Sequence, residues 1–291
     1  MVRGVYRTMA MAAALACTLA RAQWTPQFEA GFLHDTNLSR AQRPEDRVSD
    51  SALNGRAAIA RSFATGVDAD ATLGADARFI AYDKSRGASL AALGVNGGWR
   101  KKLGLGLAAP WVAADASLSY ENAREDIRDG TRGLISASTG KRFTPALEGS
   151  VGYSYDKREQ REDYTEVPGY GGKPFSLQGH SLFARLDYAI GDRLTLVGSA
   201  AERRGDVVSS TRRNFAIFVA SNAIADDPAF GPDFIAYRLS GARTRSLTGG
   251  LSWELARRAT LDATLTKDDT AVGGGLDYSA VVFALTLIYR Q

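Results

Sequence analysis

Residues 67–82 read VDADATLGADARFIAY, and the two faces of this stretch separate cleanly. Odd positions give Val67, Ala69, Ala71, Leu73, Ala75, Ala77, Phe79 and Ala81; even positions give Asp68, Asp70, Thr72, Gly74, Asp76 and Arg78. A period of two is that of a β-strand with one apolar and one charged face. A tilted strand needs about 9–11 residues to cross an outer membrane. This stretch is long enough, and its faces suit lipid on one side and a wet or salt-bridged interior on the other.

The same alternation recurs on both sides of it. Upstream, Trp24, Phe28, Ala30 and Phe32 form one stripe and Leu53, Ala57, Ile59 and Phe63 another. Downstream, stripes pass through Leu93, Leu118, Ile135, Val151, Leu182, Leu196, Leu251 and Leu265, and the last runs Val281, Phe283, Leu285, Leu287 and Tyr289. The pattern predicts twelve strands in a closed all-β antiparallel barrel, with short turns alternating with longer loops. In the fifth strand Leu105 and Leu107 are odd, whereas Val112, Ala114 and Ala116 are even. A bulge near Ala109-Pro110 is the expected cause. The longest connection spans residues 203–243 and carries the apolar run NFAIFVAS at 214–221. If that run and residues 234–240 crossed the membrane, the count would be fourteen, at the expense of a long periplasmic turn.

Residues 1–22 read as a cleaved export signal, and residues 23–291 as one barrel domain. Arg3 and Arg7 precede a short apolar run, and Ala20-Arg21-Ala22 is an A-x-A cleavage site. Removing the signal takes three of the 36 basic residues (Arg3, Arg7 and Arg21) and none of the 32 acidic ones. The remaining chain is almost neutral, which gives no support to a nucleic-acid partner. Cys17 is the only cysteine, so disulfides and thiolate metal sites are not available to the barrel.

The stripe ending at Tyr289 resembles the C-terminal strand of Gram-negative outer-membrane β-barrel proteins, which alternates large apolar residues and closes on an aromatic. Gln291 departs from the usual terminal Phe. The resemblance is architectural and porin-like. It implies a multi-pass location in the outer membrane and carries over no catalytic residue. The expected partners are outer-membrane lipid, lipopolysaccharide and a small polar solute. No cofactor is implied.

Interior parity places Asp68, Asp70, Asp76, Asp115, Glu148, Asp187, Glu254 and Asp262 against Arg56, Arg78, Arg142 and Arg185. An acidic wall of this kind favours cations or neutral polar solutes in a passive channel. Phe215, Ile217 and Phe218 are the expected constriction, since an apolar run gains nothing in water and packs at the mouth. The competing reading is a filled structural barrel displaying charged loops, because unpaired charge is costly to bury. A surface hydrolase is the second alternative, with His34 and Asp35 as its nucleus. It lacks a visible serine elbow, and the chain is not read as an enzyme.

Overall fold

The computed structural model describes residues 24–165 and 169–291, so the expected signal at 1–22 lies outside the described residues. The chain runs through β1 (Trp24–Asp35), β2 (Asp50–Gly66), β3 (Ala69–Tyr82), β4 (Leu90–Lys102), β5 (Trp111–Ala123) and β6 (Gly130–Arg142). It continues through β7 (Leu147–Gln160), β8 (Leu177–Ile190) and β9 (Leu194–Arg212), then helix α1 (Phe215–Ala220) and the short β10 (Ser221–Asp226). β11 (Phe234–Ala256), β12 (Ala259–Val272) and β13 (Leu276–Arg290) complete it. All neighbouring strands pair antiparallel, and β13 returns to β1 in the register Gln27↔Arg290 to Asp35↔Val282. The result is a closed ring of 12 strands with β10 outside it. Closure leaves no wall edge whose hydrogen-bonding groups would face hydrocarbon.

The outward face has no protein cover. Leu53, Leu93 and Leu182 are each more than 60 % exposed, an arrangement that suits hydrocarbon rather than water. Phe63, Trp99, Tyr188, Trp253 and Tyr289 stand outward near the short turns, with Phe32, Phe79 and Tyr120 toward the other end. These form the two aromatic belts expected at membrane interfaces.

The buried core sits at the end of the barrel that carries the longer connections. There the upper part of β11 is paired on both sides, with β9 from Phe234↔Arg212 to Leu239↔Val207 and with β10 from Ala223↔Arg238 to Asp226↔Ile235. One face of this three-stranded sheet packs Ile217, Ile224, Tyr237, Leu239 and Leu276, and a second cluster joins Ile127, Phe175, Ala225 and Ala236. Burial of such side chains stabilises by about 1.5–3 kcal/mol each. A register shift between Leu239 and Ala242 bends the ribbon out of the wall. Gly241 (φ 70°) and Gly205 (φ 156°) supply backbone that side chains resist. A Cβ on Gly205 would also lie 2.2 Å from the Gln178 carbonyl oxygen.

The structure corrects three expectations and excludes the fourteen-strand alternative. β3 begins at Ala69, and Asp68 is a turn residue with φ 62°. Residues 103–110 form a connection before β5 and contain no bulged strand, because Gly104 and Gly106 take positive φ and the Leu103 amide donates to the Pro110 carbonyl. Much of 203–243 is strand: β9 extends to Arg212, and β11 starts at Phe234. Fourteen wall strands are not formed, since β10 pairs with β11 above the wall and bridges Gly171 at a single point.

Candidate functional site

Side chains on strands that are not neighbours meet only on the concave face of a closed barrel, and such contacts define the interior. At the short-turn end, Arg100 of β4 lies 3.8 Å from Glu148 of β7. Glu148 also meets Arg142 at 3.5 Å and accepts from Trp111 Nε1 at 3.1 Å. Arg100 stacks over the Trp111 ring at 4.2 Å. Asp70 and the turn residue Asp68 share the polar vestibule lined by these groups, about 320 Å³ in volume.

Higher on the wall, Arg56 pairs with Glu29 at 3.0 Å and Asp76 at 3.5 Å, while Arg78 reaches Ser119 and Glu121 two strands away. Arg185 is held by Asp187 on its own strand. Other interior carboxylates have no cation within 4.0 Å among the described residues: Asp70, Asp115, Asp262 and Asp268 are outside every ion pair. Asp262 and Asp268 accept only neighbouring serine hydroxyls, from Ser252 and Ser246. Asp115 and Ser117, which share the interior face of β5, are both exposed. Uncompensated carboxylates are tolerated where water reaches them. The space between the charged ends is lined by groups that suit water, including hydroxyls such as Thr248 and Thr266 along β11 and β12.

The β9–β11–β10 sheet crosses the mouth as a lid. Along β9, the Ser210 amide donates to the Ser39 carbonyl, and Thr211 Oγ1 donates to Asp46 at 2.5 Å. At the far tip, residues 227–233 reach the β3–β4 connection, which lies diametrically opposite in the ring. A Cβ on Gly87 would stand 2.7 Å from Ala229 Cα. Between these anchors Asp227, fully buried, accepts a bidentate pair from Arg128 (Nε at 3.1 Å and Nη2 at 2.7 Å) and a third bond from Ser210 Oγ at 2.5 Å. Arg128 lies over the rings of Phe175 and Phe230. Beneath it, Arg158 donates to Glu121 at 2.8 Å and to the Arg128 and Phe175 carbonyls. Burial pushes the Tyr237 hydroxyl pKa up, opposed in part by its bond with the Asn214 backbone.

Of the expected constriction residues, Ile217 is buried in the lid core and Phe218 packs against Tyr170 with the rings tilted and their centroids 4.5 Å apart, whereas Phe215 is 80 % exposed. Helix α1 presents these alternately because six apolar residues cannot all face one cluster. Arg128, Asp227, Arg158 and Glu121 are not among the residues singled out from the sequence. For Glu121 and Arg158 the available signal is interior parity continuing past the apolar band; for Arg128 and Asp227 there is none. His34 Nδ1 stands 2.9 Å from Ser51 Oγ and Nε2 3.2 Å from Ser49 Oγ. Asp35 turns to the other face and binds Arg40 and the Asn37 amide, so it does not orient the imidazole as a catalytic triad requires.

A closed antiparallel ring, a bare apolar exterior with aromatic belts and a charged interior define the fold class of outer-membrane β-barrels. Comparison with solved structures agrees. An outer membrane channel from Pseudomonas putida F1 is similar with a TM-score of 0.57 and 9% identity, covering 92% of this chain and 96% of that one. The NanC porin is similar at a TM-score of 0.48 and 11% identity, over 90% of this chain and 98% of that one. At 9% identity the likeness to the Pseudomonas putida channel is one of fold. No family model matches the chain, and no curated protein matches it in sequence.

Proposed function

We propose that the chain is a passive outer-membrane channel for small polar or cationic solutes, with its mouth narrowed by the lid. The observation that carries this reading is the set of interior aspartates, Asp70, Asp115, Asp262 and Asp268, none of which has a cation within 4.0 Å among the described residues. In a filled barrel each would need a partner. In a water-filled one they raise the local cation concentration. Export through the signal at 1–22, and lipid and lipopolysaccharide around the exterior, belong to the same reading.

The test is to join Arg212 to Phe234 through Asn-Gly in place of residues 213–233. These two residues already face each other across the ribbon, and Asn-Gly suits a two-residue hairpin. Both forms are compared by single-channel recording in planar bilayers. The trimmed barrel is expected to give frequent steady steps and the full chain rarer or smaller ones. Equal silence from both, with each folded and heat-modifiable, would favour the filled structural barrel instead.

A further inference from the structure

The outer wall carries a trough that runs across the strands. Its lower rim is the register row Thr139, Val151, Ala184, Ala200, Leu247 and Lys267, and its upper rim is Ala137, Tyr153, Leu182, Glu202, Arg245 and Asp269. Between the rims the floor is formed at inward-pointing residues such as Gly152 and Ala201. The trough lies open to the barrel exterior along its length, with a volume of about 1110 Å³. It spans β5 to β12, where Val112 continues the lower row beside Thr139, roughly 29 Å at the usual interstrand spacing. Alanines at 137, 184 and 200 leave it unfilled. Because strands tilt in a barrel, it climbs from the periplasmic half of β5 to the extracellular part of β12.

At its upper end the apolar lining gives way to charge on the same outward face. Glu202 is shared by Arg243, by Arg204 at 3.1 Å and by Arg245 at 3.8 Å. One carboxylate cannot neutralise three guanidinium groups, and Lys267 is already paired with Asp269 at 3.2 Å. Two positive charges are left over. Arg204 and Arg245 are each more than 60 % exposed along the side chain. Guanidinium forks facing outward match phosphate oxygens in geometry and charge.

We propose that this face binds one phosphorylated, acylated glycolipid of the outer leaflet, with an acyl chain in the trough and a phosphate on Arg204, Arg243 and Arg245. The inference rests on the outer-membrane placement proposed above and is independent of conduction.

The experiment is native mass spectrometry of the refolded mature chain in detergent, titrated separately with bis-phosphorylated lipid A, its dephosphorylated form and phosphatidylglycerol. Wild type is expected to bind one lipid A at least tenfold tighter than either of the other two. Arg243→Gln with Arg245→Gln, and separately Ala200→Trp, which fills the trough from the lipid side, should each weaken binding at least tenfold without altering heat-modifiability. Unchanged binding by both variants would overturn the proposal, as would equal binding of phosphatidylglycerol. So would a dimer dissociated by Ala200→Trp, since a second copy would then occupy the face. Lipid binding that persists in a barrel giving no conductance steps would count against the channel alone.

Discussion

Asp227→Asn tests whether the lid is held shut by one buried ion pair. The carboxylate is fully buried, takes three hydrogen bonds and faces an Arg128 side chain that is 18 % exposed. The amide keeps the shape, removes the charge and turns an N–H toward donors. Removing one partner from a buried pair costs about 3–5 kcal/mol. The lower figure applies here, because Arg128 keeps some water and its two aromatic neighbours. About 3 kcal/mol corresponds to a roughly hundredfold shift in the closed-to-open ratio. In planar bilayers the variant is expected to open roughly a hundredfold more often, with an unchanged step size, because the wall is untouched. An unaltered open probability in a folded, heat-modifiable variant would refute the lid as the gate.

Two further outcomes follow from the same geometry. Gly87→Ala places a methyl 2.7 Å from Ala229 Cα and 2.6 Å from Glu125 Cγ, so the tip must lift; proteolysis within 227–233 should quicken while the barrel itself stays resistant. Val95, outward and 58 % exposed, lies between the aromatic belts, so Val95→Lys should cost about 2–4 kcal/mol in equilibrium unfolding from lipid. Ser117→Lys, on the wet interior of the paired strand, should cost less than about 1 kcal/mol, and equal losses would contradict the assignment of faces.

The wall is legible in the sequence because each strand in the apolar band sets lipid against water, and that contrast has a period of two. Leu53, Leu93, Val151 and Leu251 need no more than this. The contrast disappears above the band, where both faces meet water or protein. Periodicity alone therefore assigns Glu121, Arg158 and Arg203 to loops, although they continue β5, β7 and β9. The lid is legible only as an apolar run that has to pack somewhere. Its sheet depends on Phe234 finding Arg212 across a loop, and its latch on Asp227 meeting Arg128 from another connection. Neither pairing has a local period. Parity misplaces Asp68 for a related reason: its position fits the strand, but its positive φ belongs to the turn.

The most direct measurement is the reversal potential of the lid-trimmed barrel in a salt gradient, alone and with Asp70→Asn, Asp115→Asn and Asp262→Asn combined. An acid-lined conduit predicts a potential on the cation-selective side that moves toward zero when the three charges are removed. An anion-selective potential, or one indifferent to the three substitutions, would contradict it.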